Sequence, residues 1–129
     1  MAEPRPDLEL RLPADGMFLA VLRTATAGLA ARLDFTLDEI EDLRIAVDEA
    51  CSLLLPQART GADLRCAFFI EGRLLTVEVS APCDEPREPS RDGFAWTVLS
   101  ALTTSLETCV DGDTLVIRLS RAAEGADIR

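Results

Sequence analysis

The sequence contains no histidine, and this absence narrows the chemistry open to the protein. Serine–histidine and cysteine–histidine catalysis are excluded, because both use an imidazole as the general base. Histidine ligands for zinc are missing as well, and the four cysteines form no C-x-x-C pair. We interpret the cysteines as reduced thiols of a cytosolic protein. Cys51 and Cys66 lie in apolar runs and are predicted core residues, whereas Cys83 lies in a polar loop and would be reactive if exposed.

Long apolar segments and basic residues are also scarce. No apolar run approaches the ~18 residues of a membrane span. The N-terminal stretch MAEPRPDLELRLP lacks the apolar core of a signal peptide, so we expect a cytoplasmic protein. Only 13 basic residues stand against 23 acidic ones, which gives a formal net charge of -10. This charge disfavours direct binding to nucleic acid or an anionic membrane and favours a positively charged protein partner, unless it serves only solubility.

The spacing of apolar residues indicates one domain that mixes helices and strands. The 129 residues suffice for a single core, so we assign 1–129 to one domain with a frayed tail from 121 onward. Apolar residues spaced by two predict strands, and those spaced by three or four predict helices. The predicted elements are a strand at 8–12, helices at 17–33 and 36–55, a hairpin of 64–70 and 75–79, a helix from 94 to 102 or 106, and strands at 108–110 and 114–119.

This order of elements predicts a fold of the α+β class. Hairpins and adjacent helices replace alternating βαβ units, so we expect a two-layer sandwich with the helices on one face of a mostly antiparallel sheet. A loop at 81–92, with three prolines and six charged residues, separates the hairpin from the third helix. Loops of about a dozen residues are usually functional or disordered.

The second predicted helix is the most informative segment of the chain. Thr36 and Glu39 form the T-x-x-E pattern of a capping box at its start. Beside its main apolar stripe, a second line runs through Glu49 and Leu53. Glu49 is either a functional carboxylate or a partly exposed helix residue without a role. Acidic residues give the helix a negative face that either meets a basic partner or is simply solvated: Asp38, Glu39, Glu41, Asp42 and Asp48.

The segment IEDLRIAVDEACSLLL, placed within this order of elements, resembles the anti-sigma factor kinases of the RsbW type. The resemblance covers nearly the whole chain and implies the GHKL (histidine-kinase-like, Bergerat) ATPase fold with ATP and Mg²⁺ as cofactors. In that family this helix carries E-x-x-x-N, where the glutamate serves the attacking nucleophile and the asparagine holds Mg²⁺. Glu49 matches the glutamate and is the implied general base if the chain is a kinase. Leu53 replaces the asparagine, and its side chain offers no oxygen ligand, so no metal site is assigned.

Two further nucleotide motifs of the family are altered in this sequence. The family's D-x-G-x-G pattern, in which the aspartate reads adenine and the glycines admit the nucleotide, corresponds to Ser80-Ala81-Pro82-Cys83-Asp84. Ser80 therefore replaces the aspartate, and Pro82 and Asp84 replace the glycines. The later glycine-rich segment is reduced to the stretch around Gly93. Together with Leu53, these changes imply that ATP use is lost or greatly altered.

The partner-binding surface implied by the resemblance is retained. In the family, an arginine of the first helix contacts both the sigma factor and a competing anti-anti-sigma factor of the STAS type, and Arg23 matches it. A solvated arginine is the alternative for that residue. The resemblance also implies a homodimer with its contact at the sheet edge and first helix.

We therefore expect an anti-sigma factor of a stress response, which sequesters an alternative sigma factor until an anti-anti-sigma factor competes. Two alternatives stay open. One is an active serine kinase that phosphorylates the anti-anti-sigma factor, and the other is a regulator whose partner affinity responds to oxidation of Cys83 or another cysteine.

Overall fold

The computed structural model describes residues 4–125, which form three α-helices against one five-stranded sheet. The helices are α1 (Leu19–Arg32), α2 (Leu37–Leu54) and α3 (Phe94–Leu102); the strands are β1 (Leu8–Pro13), β2 (Asp63–Glu71), β3 (Leu74–Pro82), β4 (Ser105–Asp111) and β5 (Thr114–Ala122). Neighbouring strands are antiparallel throughout, in the order β1-β2-β3-β5-β4. The predicted α+β two-layer sandwich is confirmed, while its assignment to the GHKL fold stays a prediction. No helix within 4–125 combines the length and the apolar character needed to cross a membrane.

The core lies between the helices and one face of the sheet. α2 is the central helix, since α1 and α3 both pack against it and it contacts β3 and β5 below. Its inner face and alternate residues of the strands supply the largest fully buried side chains, among them Leu43, Val47, Leu54, Phe68, Val77, Ile117 and Leu119. Cys51 and Cys66 belong to this core as predicted, and burial raises the pKa of each thiol to about 12.

One carboxylate fixes both the start of α2 and the segment after β5. The Thr36 hydroxyl accepts the Glu39 N–H at 3.1 Å, and Glu39 Oε1 accepts the Thr36 N–H at 2.7 Å, so the predicted capping box is confirmed. Glu39 is only 5% exposed, and its second oxygen accepts the N–H of Glu124. A local helix cap is thereby also a long-range tie to the end of the chain.

The predicted frayed tail is wrong for its first residues. β5 continues to Ala122, and Ala123 is buried. Arg121 donates to the Asp42 carboxylate at 3.3 Å and to the Leu102 carbonyl at 2.8 Å. Apolar periodicity did not reveal this extension because hydrogen bonds and an ion pair hold it. Residues 126–129 of the predicted tail lie outside the described residues.

Two helix boundaries also differ from the prediction. Leu106, the later option for the end of the third helix, lies in β4 opposite Leu119, because the chain becomes extended at Thr103. β4 is accordingly longer than the predicted strand at 108–110. The first helix is preceded by a short 3-10 turn (Gly16–Phe18) and becomes α-helical only at Leu19.

We expect Glu39→Gln to lower the free energy of unfolding by about 1 to 2 kcal/mol at pH 7, because a neutral amide is a weaker acceptor for two N–H groups. Burial raises the pKa of the Glu39 carboxyl, but the hydrogen bonds from Thr36 and Glu124 and the charge of Arg121 outweigh it and leave the folded pKa below its ordinary value. The resulting stabilisation is complete above about pH 5.5 and is lost as the pH falls through the folded pKa.

Urea unfolding of the wild type and of Glu39→Gln between pH 7 and pH 3 checks this prediction. The difference between their free energies of unfolding should shrink as the pH falls. Glu41→Gln is the matched control, since Glu41 is exposed and its one ion pair within residues 4–125 is with Arg44, and it should change stability by less than about 0.5 kcal/mol. A difference in unfolding free energy that did not change with pH would contradict the stabilising role of the Glu39 carboxylate.

Candidate functional site

Glu49 and Leu53 lie one turn apart on the flank of α2 that faces α3. Asp42 belongs to the same flank at about 100° per residue, and it reaches the end of α3 through the Arg121 bonds to Asp42 and Leu102. Glu49 is half-buried, and within 4–125 its carboxylate has no recorded hydrogen bond or ion pair. Leu53 packs against the core. The structure therefore brings these two predicted residues together, beside the third helix.

The third helix packs beside this flank. Trp96 and Leu99 are the buried residues of α3, which packs directly against α2. The indole of Trp96 is 9% exposed, and the Arg91 guanidinium lies over its ring at 4.6 Å from the centroid. Two cavities, of about 500 and 590 Å³, open elsewhere on the molecule, and neither is lined by Glu49 or Leu53.

Ser80 lies on the other side of the sheet from Glu49. Side chains of β3 alternate, so that Val79 and Ala81 face the helices while Ser80 faces away and lines the 500 Å³ cavity with Arg65 and other residues. A shift of one residue places Ala81 at the aspartate position of D-x-G-x-G. Ala81 faces the core but carries no polar group, so an adenine-reading carboxylate is missing in both registers.

Arg59 binds the segment that contains Pro82 and Asp84 and links it to Asp113. The Arg59 backbone N–H donates to the Pro82 carbonyl at 2.8 Å. Its guanidinium pairs with Asp84 at 3.0 Å and with Asp113 at 3.1 Å, and it also donates to the Cys83 carbonyl at 3.2 Å. Cys83 is fully buried, which removes the exposure that its predicted reactivity required. The positions expected to admit a nucleotide are therefore held by the protein's own side chains.

The following loop, 84–93, is anchored as well. The Gln57 amide donates to the Arg87 carbonyl at 3.0 Å and accepts the Arg87 N–H at 2.8 Å, as a neighbouring strand would. Glu88 accepts the Thr108 hydroxyl at 2.5 Å. Gly93 precedes α3 in ordinary extended backbone with φ −76°, a conformation that does not require glycine. The 590 Å³ cavity at this loop is lined by three carboxylates and one arginine, which disfavours a polyphosphate.

The residues present do not fit a nucleotide complex of the family type. Leu53 supplies no oxygen ligand, and residues 4–125 contain no cluster of three acidic or cysteine side chains able to hold a metal ion. The adenine-reading carboxylate is missing, and the segment around Cys83 is closed. Of the two family residues expected on this helix, the flank retains only the carboxylate of Glu49.

Arg23 lies on the other flank of α2, where α1 meets it. Its Nη1 donates to Asp48 Oδ2 at 3.2 Å, and both side chains are about one third exposed. The ion pair holds the Arg23 side chain beside α2. Within the described residues no second partner is recorded for the guanidinium, so its outer N–H groups face solvent and can meet a carboxylate.

The solvent side of α1 is uncharged apart from exposed Arg32 in its last turn. Val21 is 49% exposed, and the residues at helical spacing around it are small or apolar: Met17, Ala20, Thr24, Gly28 and Ala31. We call this set the α1 stripe. Sequence reasoning found only the inward stripe of this helix and missed the outer one, although apolar residues on all sides of a helix indicate that more than one side is covered. On a protein of net charge -10, such a stripe is a candidate interaction surface.

The acidic face predicted for α2 is largely neutralised. Glu39 is buried in the capping box, Asp42 pairs with Arg121, and Asp48 pairs with Arg23. Glu41 pairs with Arg44. The positions of acidic residues in a sequence do not show which of them are paired. Because these carboxylates are paired, the face is a weaker docking feature than the sequence suggested.

The sequence of the chain is similar to those of several known proteins. The chain is 36% identical over 105 residues to the anti-sigma-F factor RsbW of Mycobacterium tuberculosis, a match that covers 81% of this chain and 62% of that protein. It is 38% identical over 58 residues to the serine-protein kinase RsbW of Bacillus thuringiensis and of Bacillus cereus, covering 45% of this chain and 36% of those proteins. The chain thus spans less than two thirds of the length of these relatives. No protein-family model matches it.

We expect a thiol reagent such as dithionitrobenzoate to modify only Cys109 rapidly in the native protein. The thiolate is the reacting form, and the pKa of about 12 keeps Cys51 and Cys66 protonated, while Cys83 is fully buried. Burial and neighbouring carboxylates also raise the pKa of exposed Cys109, so its reaction should accelerate between pH 7 and pH 9. Cys109→Ser should show no fast phase until urea is added. Fast native labelling at Cys83 would instead support a redox role.

We expect 1 mM Mg-ATP to leave the unfolding free energy of the protein unchanged, because the family positions are filled or chemically altered. A site with a dissociation constant of 10 μM would add about 2.7 kcal/mol at that concentration. Leu53→Asn is the matched variant: it restores only the metal ligand and should also show no stabilisation. Sodium chloride at equal ionic strength controls for salt. A stabilisation that rises with nucleotide concentration in the wild type would overturn the assignment of a closed site.

Proposed function

The chain belongs to the RsbW-type family, and we propose on that basis that it is an anti-sigma factor that sequesters an alternative sigma factor. An anti-anti-sigma factor of the STAS type competes for the same surface and releases the sigma factor. Both partners are proteins, and the complex forms in the cytoplasm without direct contact to nucleic acid or membrane.

The observation that carries this proposal is the α1 stripe with Arg23 at its border. Small side chains let a partner helix approach α1 closely, and Val21 and Met17 supply apolar area for burial. Arg23 fixes the orientation of a bound partner, because a planar guanidinium pairs with a carboxylate in two parallel hydrogen bonds. Asp48 holds it at 3.2 Å and so limits the rotamer entropy that binding has to remove.

Sequestration of this kind needs no nucleotide in the present protein. The surface on α1 lies beside one flank of α2, whereas Leu53, which removes the metal ligand of the family, lies on the opposite flank. Competition between two proteins for the α1 stripe is then sufficient to exchange partners, with concentration and affinity deciding the outcome.

A second candidate is a serine kinase that phosphorylates the anti-anti-sigma factor. The half-buried Glu49, whose carboxylate has no partner among residues 4–125, favours it, since a general base must be able to reach a substrate proton. Leu53, the missing adenine carboxylate and the closed segment at Cys83 argue against it. The Mg-ATP measurement above separates the candidates, because a kinase of the family type has to bind the nucleotide.

We expect Val21→Glu and Arg23→Glu each to weaken sigma-factor binding at least tenfold, which corresponds to about 1.4 kcal/mol. The first places a charge within the α1 stripe, and the second reverses the directing charge next to Asp48. The measurement is co-purification followed by calorimetry of the full chain with each alternative sigma factor of the source organism.

Arg11→Glu is the control for charge, since Arg11 is exposed on β1 at a distance from α1, and it should bind as the wild type does. Urea unfolding of every variant separates loss of binding from loss of folding. Undiminished binding by both α1 variants would remove the docking role of this helix.

A further inference from the structure

The outer edge of β4 carries backbone groups without a partner in the described part of the chain. β4 is the last strand of the sheet, and β5 is its one neighbour within residues 4–125. In the same range no backbone hydrogen bond joins β4 to an element on its other side, and the Thr108 hydroxyl reaches Glu88 through side chains alone. Alternate N–H and C=O groups of this seven-residue strand therefore point outward, where a further strand can bind them.

The two faces of this edge differ in chemistry. Leu106, Thr108 and Val110 lie opposite buried residues of β5 and therefore face the helices. Val110 is 40% exposed, although it lies on the side of the sheet that carries the core. The intervening Glu107 and Asp111 face the other side of the sheet. A strand that adds to β4 thus needs apolar side chains on one face and a different chemistry on the other.

The face of β4 that points away from the helices is acidic. Within the described residues Glu107 and Asp111 form no ion pair, and β4 contains no basic residue. Burial raises the pKa of the Cys109 thiol between them, and four neighbouring carboxylates raise it further: Asp111, Glu78, Glu88 and Glu107. The electrostatic field at the centre of this edge is therefore negative.

We propose that β4 binds an extended segment of another protein in which basic and apolar residues alternate. The segment adds to the sheet as an antiparallel strand, the arrangement of every neighbouring pair already present. Its basic side chains lie opposite Glu107 and Asp111, since opposite charges stabilise a strand pair. Its apolar side chains lie beside Leu106 and Val110. A shift of one residue would reverse both matches, so the alternation also fixes the register.

Charge distinguishes this partner from other extended segments. A segment with acidic residues at the same positions would set like charges opposite each other, which destabilises a strand pair. A second copy of β4 carries the same two carboxylates and no basic residue, so it lacks the complementary charge. The chemistry of the edge therefore favours a basic partner.

This surface is separate from the one proposed for the sigma factor. β4 contacts α3, whereas the α1 stripe belongs to the helix that packs on the other flank of α2. A protein bound at β4 leaves the α1 stripe and Arg23 open. The chain can then hold a sigma factor and a second protein at the same time.

Calorimetry of the full chain with synthetic peptides tests the proposal. The probe KVSVKVT, blocked at both ends, places lysines opposite Asp111 and Glu107 and valines on the helix side. We expect it to bind with a dissociation constant below about 1 mM at low salt, and EVSVEVT to bind at least tenfold more weakly. Glu107→Gln combined with Asp111→Asn should remove the difference between the two peptides. Asp38→Asn, which neutralises an exposed carboxylate on α2, is the matched control and should preserve it.

N-methylated forms of the basic peptide separate strand addition from simple attraction between charges. Alternate N–H groups of an extended strand point to opposite edges. Methyl groups on the three valine amides therefore block one edge of the peptide, and methyl groups on the lysine and serine amides block the other. One of these two forms should bind at least tenfold more weakly than the parent peptide, and the other should bind as the parent does.

The Cys109 thiol provides a test of the register. In KVCVKVT the peptide cysteine lies opposite Cys109 at a Cβ separation of about 4.5 to 5.5 Å, which a disulfide can close with small shifts. Carried as its mixed disulfide with thionitrobenzoate, this peptide should label Cys109 at least tenfold faster than KCSVKVT, whose cysteine faces the helices. The three other cysteines are buried and do not interfere.

Four results would overturn the proposal. They are no binding of the basic peptide at about 1 mM, equal binding of the acidic peptide, an equal effect of the two methylation patterns, and equal labelling of Cys109 by the two cysteine peptides. Slow modification of Cys109 by dithionitrobenzoate in the protein alone would also overturn it, because another copy of the chain would then cover this edge.

Discussion

The packing of α2 on β3 and β5 is the contact on which the remaining structure depends. Because α2 lies between the other two helices, the position of a residue around its axis decides which surface it serves. Asp48 turns toward α1 and holds Arg23, while its neighbour Glu49 turns toward α3. Two chemical environments are thereby separated by a single step along the chain. A shift of α2 on the sheet would disturb both at once.

Much of the fold follows from local patterns in the sequence. Period-two and helical spacing identify the strands and helices, and the capping box of Thr36 and Glu39 fixes the start of α2 with short-range contacts alone. Interactions between distant residues explain what was missed. Arg121 ties β5 to Asp42, 79 positions away, and Arg59 holds the segment around Cys83 by binding Asp84 and Asp113. Such pairs cannot be identified from one sequence because many acidic residues compete as partners.

The candidate site was predictable in its chemistry and less so in its geometry. The loss of a metal ligand at Leu53 is evident from the residue type, and no arrangement of the backbone restores it. The placement of Ser80 depended on the face of a strand, where an error of one residue reverses the direction of the side chain. The α1 stripe was missed for a different reason. Its residues resemble core residues, and only the arrangement of three helices on one sheet leaves them uncovered.

The burial of Trp96 has a practical consequence. It is the only tryptophan of a chain that contains no tyrosine, so its emission dominates the intrinsic fluorescence. The indole lies in α3, which packs against α2, and the Arg91 guanidinium is stacked on its ring. Its emission wavelength therefore reports on the packing of α3 in the helical layer, and the protein carries its own optical probe in that helix.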